Sequence, residues 1–339
     1  MAAIAPLPTE FAPRTLARRT AEVLLLLAVV ALIVTLAPGL GQVRDALASA
    51  SPGWLALALG FELLSGISYV LMFRPIFCRR MSWRMSWQIS WAEMAAGSIV
   101  PASGAGGLTL GAWVLHRTGM PSGHIARRSV AFFILKSSVN FVAVAVVGIV
   151  ALAGVGPDLS FWLTGFPAAV AIVAIAAVLL LPRIGPGADP APGAAKLARW
   201  WSVARRSVIG GVGEAVAIVR TKDPALFVGA VGYWAFDNAV LWATFKALGV
   251  DVPIIVILLG YLIGQLGGLL PIPGGVGGID GGLIGTLIVY GAPAAGTAAA
   301  VLAYRVILFW LPLLVGAAAF WSLRRALADP SSASSAALR

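Results

Sequence analysis

Six ionisable residues lie inside long apolar stretches of the chain: Glu62, Glu93, Lys136, Asp237, Asp280 and Arg305. A charged side chain at the centre of a bilayer costs about 2.5–3.5 kcal/mol on insertion scales, so such residues mark substrate or ion pathways by default. Arg305 is the sharpest, set in the apolar run Val301-Leu-Ala-Tyr-Arg-Val-Ile-Leu-Phe-Trp310. Its planar guanidinium suits bidentate contact with a lipid phosphate. The competing reading is an internal ion pair with Asp237 or Asp280 that fixes helix order and touches no substrate. Lys136 stands nearer the cytoplasmic end of its span, where its stem allows snorkelling; Glu62 and Glu93 are alternative partners for it. Asp280 follows a glycine-rich loop, a position from which an acid caps a returning helix.

These residues need a membrane scaffold to position them. Of 339 residues, 60% are hydrophobic and 11% charged, against about 25% charged in a soluble domain. Apolar runs of about 20 residues recur along the chain, which excludes a water-soluble globule and predicts an all-α, polytopic membrane protein. Six full spans are expected: Val23–Ala37, Trp54–Phe73, Phe132–Leu152, Phe161–Leu181, Ala225–Leu248 and Thr297–Leu323. The first follows Arg14, Arg18 and Arg19 like a signal peptide, but the many later spans favour a membrane helix. Two further apolar regions are broken, over 88–117 and 253–290. The chain thus divides into a first membrane half (1–181), a cytoplasmic linker with a basic interfacial helix (182–223), a second half (224–325) and a disordered tail (326–339).

Charge distribution orients the chain. With the amino end inside and each broken region returning to its starting side, 20 of the 24 Lys and Arg are cytoplasmic, 2 are outside and 2 are within spans. That bias places both termini in the cytoplasm and the chain in the cytoplasmic membrane. It also accounts for the net charge of +11 without nucleic acid, since the basic stretches read as anchors on anionic headgroups. The 12 tryptophans fall mostly near span ends and in basic loops, as aromatic belts do. One cysteine, Cys78, and two histidines, His116 and His124, offer no thiolate or histidine-rich metal centre, and no metal or cofactor is expected.

The breaks are Pro101-Ala-Ser-Gly-Ala-Gly-Gly107 and Pro271-Ile-Pro-Gly-Gly-Val-Gly-Gly278. From Gln88 to Val100 a helix reaches roughly 20 Å, short of a hydrocarbon core of about 30 Å, which predicts a re-entrant hairpin. The second region is longer on each side and leaves two tilted spans open. Irregular backbone at depth is tolerated only when buried in protein or lining a wet cavity. A matched pair of Gly/Pro-interrupted segments points to a transporter's midplane site. Each break follows a span with an interior acid, Glu62 or Asp237, and precedes one with a base, Lys136 or Arg305. Eight residues before Pro101 and Pro273 stand Glu93 and Gln265. An inverted repeat is the reading, with Pro101, Gly104, Gly106, Gly107, Pro271, Pro273, Gly274, Gly275, Gly277 and Gly278 shaping the loops. Close helix packing is the plainer role for these glycines. Anion binding by the loop amides is a further one.

The stretch from Leu269 to Leu283, with Ala303-Tyr-Arg-Val306 and Trp310-Leu-Pro312, resembles the lysylphosphatidylglycerol synthase transmembrane region family, also called flippase-like membrane proteins. Ser98 to Gly107, with Leu115-His-Arg-Thr-Gly119, is similar to that family's first motif. The resemblance spans roughly Ala21 to Leu323. It implies a lipid-translocating module and marks Pro271, Pro273, Gly274, Gly275, Gly277, Asp280, Tyr304 and Arg305. Two departures stand out: Asp280 replaces the usual Glu, and Leu108, Thr109 and Leu110 occupy positions that often carry charge. No soluble aminoacyltransferase domain follows Leu323, so synthase activity is not expected. The expected function is translocation of an anionic or polyprenyl-phosphate-linked envelope lipid, with Glu62, Glu93, Lys136, Asp237, Asp280, Tyr304 and Arg305 binding substrate. Its partners would be membrane lipids and a separately encoded lipid synthase or glycosyltransferase. Two alternatives remain open: a secondary transporter of a small polar solute, and a non-transporting partner of a lipid-modifying enzyme. An enzyme is not expected, since no nucleophile–His pair occurs in any loop.

Overall fold

The computed structural model describes residues 13–36, 41–99, 105–185, 195–264 and 278–328. All regular structure among them is helical. Five helices are long and apolar enough to cross a membrane: α3 (Pro52–Phe77), α6 (Ser122–Leu152), α7 (Phe161–Leu180, continued by a 3-10 turn to Ile184), α9 (Pro224–Ala247) and α12 (Ala294–Ala328). The expected first span falls in α1 (Pro13–Leu36), which starts within the arginine-bearing segment; a short helix α2 (Gly41–Ala48) follows.

The two broken regions are pairs of short helices. α4 (Trp83–Ile99) packs on α5 (Ala105–Arg117), and α10 (Ile254–Gly264) packs on α11 (Gly278–Val289). The first leg begins at Trp83 rather than Gln88, and its 17 residues reach roughly 25 Å. In the second region the described helices of the two legs are 11 and 12 residues long, roughly 16–18 Å, and Pro253 immediately precedes α10. Residues 265–277, with Gln265, lie outside the described residues.

Each hairpin leans on the span that follows the other hairpin, α4 on α12 and α10 on α6, while α3 and α9 form the most extensive helix contact. Two apolar cores result. One gathers Met72, Phe73, Ile89, Leu115 and Phe132; the other gathers Leu241, Ile257, Leu287 and Val301. Outward faces keep large apolar side chains exposed, among them Val146, Val173 and Leu314, as lipid contact requires.

The basic helix α8 (Lys196–Arg220) lies along α6. It buries Val212, Ala215 and Ile218 and leaves Leu197 and Trp201 exposed. Glu214 pairs with Arg127 at 3.6 Å and Arg128 at 3.3 Å, and Arg128 donates to the Ile76 carbonyl at the end of α3. Arg79 pairs with Asp223, whose carboxylate also caps α9. Several bases expected to sit on lipid headgroups are therefore engaged within the protein. Of the expected tail, residues 326–328 close α12, and the remainder lies outside the described residues.

Candidate functional site

The contact between α3 and α9 is made by small residues. A Cβ at Gly229 would meet Ser68 and Met72, and one at Gly232 would meet the Ser68 hydroxyl; small residues of this kind let membrane helices approach closely. Ser65 Oγ donates to the Tyr233 carbonyl at 3.3 Å. This approach brings Glu62 and Asp237, both buried, within electrostatic reach of each other. Asp237 is also the junction of three helices. Tyr304 of α12 donates to its Oδ1 at 2.9 Å, and Tyr261 of α10 donates to its Oδ2.

Around Glu93 the first hairpin is wedged tightly. Trp91 is fully buried against Gly66 of α3, and Gly316 of α12 meets the Trp91 carbonyl. Gln88 donates to Ser322 at 2.7 Å. Glu93 is thereby held 2% exposed, with Tyr69 donating to its Oε2 at 3.0 Å. Its Oε1 is buried without a hydrogen-bond partner among the described residues and rests against the Cα of Gly111. Lys136 turns inward rather than snorkelling: its ammonium lies 5.9 Å from the Tyr69 ring centre and 5.7 Å from that of Tyr233. Such cation–π contact holds a buried cation without a carboxylate.

Arg305 resolves in favour of an ion pair, and the partner is Asp280. Nε stands 2.5 Å from Oδ1, with the side chains 15% and 13% exposed. Asp280 sits in the first turn of α11, where a helix N-terminus favours an acid. One guanidinium nitrogen, Nη2, is buried without a hydrogen-bond partner among the described residues. Asp237 is within electrostatic reach of both Arg305 and Lys136.

The structure therefore brings Glu62, Glu93, Lys136, Asp237, Tyr304 and the Arg305–Asp280 pair into one neighbourhood. Of the loop residues, Gly106 and Gly107 lie in the first turn of α5 and Gly278 opens α11. Gly107 takes the packing role, since a Cβ there would strike the Glu93 carbonyl. Pro101, Gly104, Pro271, Pro273, Gly274, Gly275 and Gly277 lie outside the described residues. A separate open cavity of about 670 Å³ lies at the turn from α5 to α6, lined by Phe77, Cys78, Met120, Pro121, Gly123, His124 and Arg127.

Sequence reasoning missed Tyr69, Tyr233 and Tyr261. A signal existed: the chain has 5 tyrosines against 12 tryptophans, and these three stand within apolar helices rather than at the ends of spans. A second signal is register. A single shift of 168 residues carries Tyr69 to Asp237, Glu93 to Tyr261, Lys136 to Tyr304 and Gly106-Gly107 to Gly274-Gly275. Ser65 and Tyr233, which touch, are themselves 168 apart. This register pairs different residues from those matched on acids and bases alone.

Comparison with known proteins covers almost the whole chain. The family model described as Lysylphosphatidylglycerol synthase TM region matches residues 23–316. A UPF0104 membrane protein of Methanothermobacter thermautotrophicus is 24% identical over 322 residues, covering 88% of this chain and 94% of that protein. A second UPF0104 membrane protein of the same organism is 27% identical over 323 residues, covering 86% and 90%.

Proposed function

Since the chain belongs to the lysylphosphatidylglycerol synthase TM region family, we propose that this multi-pass membrane protein is a flippase-like lipid transporter of the cytoplasmic membrane. Its cargo is an anionic or polyprenyl-phosphate-linked envelope lipid. The observation that carries this reading is the convergence of Glu62, Glu93, Lys136 and Asp237 from four helices of both halves, beside Arg305 and Asp280. A fold in lipid does not gather so many ionisable groups for stability, because apolar residues pack as well without the insertion cost.

The halves act as an inverted repeat. Equal register over 168 residues, a contact between equivalent residues Ser65 and Tyr233, and each hairpin packed on the span that follows the other support that arrangement. Ends in the cytoplasm follow from the Lys/Arg bias. Rocking of one half against the other exposes the polar site to each leaflet in turn. Arg305 Nη2 is the nitrogen left to hold a phosphate oxygen while acyl chains stay in the bilayer. The protein needs no catalytic residue for this, and a separately encoded lipid synthase or glycosyltransferase supplies its cargo.

Leaflet-resolved transport in reconstituted vesicles tests the proposal. Acceleration over empty vesicles is expected for at least one anionic or polyprenyl-phosphate lipid; none for any of them refutes it. Arg305→Ala should abolish transport with the protein still folded. One observation favours a second reading, a cation-coupled carrier of a small polar solute: four carboxylates face two bases in the cluster. That reading requires transport that stops when the ion gradient is dissipated and that proceeds without any lipid movement.

A further inference from the structure

The bases around α8 are taken up by acids: Glu214 pairs with Arg127 and Arg128, and Asp223 with Arg79. Arg84 of α4 and Arg325 of α12 differ. Both are exposed, and neither makes an ion pair among the described residues. α12 carries no acid, and the one acid of α4, Glu93, lies roughly 13 Å further along that helix than Arg84.

The seam between the two helices gathers these arginines. Gln88 donates to Ser322 at 2.7 Å, and the Trp91 carbonyl lies against Gly316. Rising numbers on α4 thus meet falling numbers on α12, so the helices run antiparallel and α4 begins where α12 ends. Residues three and four apart share a helix face. Arg84 stands one turn before Gln88 and Arg325 about one turn after Ser322, which puts both at the same end of the seam. Trp87 and Trp321 each precede a bonded residue by one, and in an antiparallel pair those positions fall on one flank. That flank is open: Trp87 is 39% exposed and Trp321 58%. Arg325 stacks on Trp321, its Cζ 3.4 Å from the ring centre, which leaves the N–H edge of the guanidinium free to donate. Trp87 is backed by the buried Trp91, with 5.5 Å between ring centres.

Two arginines brought to one end of a seam without an acid repel each other, and an anion shared between them reverses the sign. The order along the helices is that of a phospholipid standing in a leaflet. Bases lie at the helix ends, tryptophans about one turn deeper where aromatic belts form, and Leu314, exposed two turns deeper on the Trp321 stripe, at acyl level. We infer that the α4–α12 seam binds one anionic phospholipid of the adjoining leaflet, with Arg84 and Arg325 sharing its phosphate and Trp87 and Trp321 flanking its glycerol end. This goes beyond the transport reading and does not depend on it. The site lies on the lipid-facing surface, apart from the buried cluster of Glu93 and Asp237, and its lipid is a bound companion rather than cargo.

Lipid retention by the full-length protein in detergent tests the site. Phosphatidic acid and phosphatidylcholine of the same acyl chains are titrated and counted by native mass spectrometry, with inorganic phosphate added in a separate arm. One phosphatidic acid should be retained about tenfold more tightly than phosphatidylcholine. Arg84→Gln and Arg325→Gln, both at exposed positions, should each lower that preference to about threefold or less. The double variant should fall no further, because one phosphate is shared. Arg220→Gln, which removes an exposed base from α8 instead, should stay within about twofold of the wild type. Equal retention of the two lipids overturns the site. An equal loss in Arg220→Gln also overturns it, since net charge alone would then draw the lipid, as do losses that add in the double variant. Displacement of phosphatidic acid by inorganic phosphate at the lipid's own concentration would overturn the lipid assignment in favour of a free anion.

Discussion

The two halves of this protein solve one problem in two ways. At Asp237 a buried acid is closed by two tyrosine hydroxyls, so a single carboxylate ties α9, α10 and α12 together. At Glu93 the acid accepts from one tyrosine only, and a lysine held over aromatic rings replaces the second. The first arrangement is complete and reads as a fastener. The second leaves one carboxylate oxygen, Glu93 Oε1, without a hydrogen-bond partner among the described residues. The second half also carries the Arg305–Asp280 pair, whose register equivalents in the first half are Ser137 and Ala112.

Breaking the ion pair should have the largest effect on stability. Arg305→Ala leaves Asp280 charged and nearly buried, and removing one partner of such a pair costs about 3–5 kcal/mol. The double variant Arg305→Leu with Asp280→Leu should recover most of that loss in thermal unfolding while still failing in lipid transport. Stability that stays low in the double variant would mean the pair does more than neutralise itself.

Opening the complete half-site comes next. Asp237→Ala strands two buried tyrosine hydroxyls, at about 1–3 kcal/mol for each unsatisfied group in a buried site. Asp237→Asn keeps an acceptor for one of them and should cost less. The same measurement on Glu93→Ala should show a smaller loss than Asp237→Ala, because only Tyr69 is orphaned. A loss at Glu93 equal to or above that at Asp237 would erase the distinction drawn between the halves.

Gly111→Ala sharpens the contrast from the other side. Its Cβ would enter the space of the Glu93 carboxylate, with an overpacking cost of about 1–3 kcal/mol. The expected readout is a lowered unfolding temperature. Finally, Tyr69→Phe and Tyr261→Phe each delete one hydroxyl. Each should cost about 0.6–1.7 kcal/mol, the range of interhelical hydrogen bonds within membranes.

Much of this was legible before any coordinates. Apolar length places five of the spans, Pro and Gly mark both breaks, and insertion cost singles out Glu62, Glu93, Lys136, Asp237, Asp280 and Arg305. The tyrosines were passed over because a phenol in a span carries little insertion penalty, so nothing in hydropathy separates Tyr261 from its leucine neighbours.

What the sequence determined by itself is the class of molecule: a polytopic membrane protein whose helices satisfy their own backbone in lipid, with two apolar regions interrupted by Pro and Gly. Tertiary structure alone decided the partners, giving Arg305 to Asp280, Asp237 to two tyrosines, and Lys136 to a pair of rings. The physical reason lies in the solvent. In water an apolar stripe shows which face of a helix turns inward, but in a bilayer both lipid and protein faces are apolar. Rotation and pairing of α3, α4, α9 and α12 are therefore set by where glycines and serines let backbones touch, and that becomes visible only when the helices are packed.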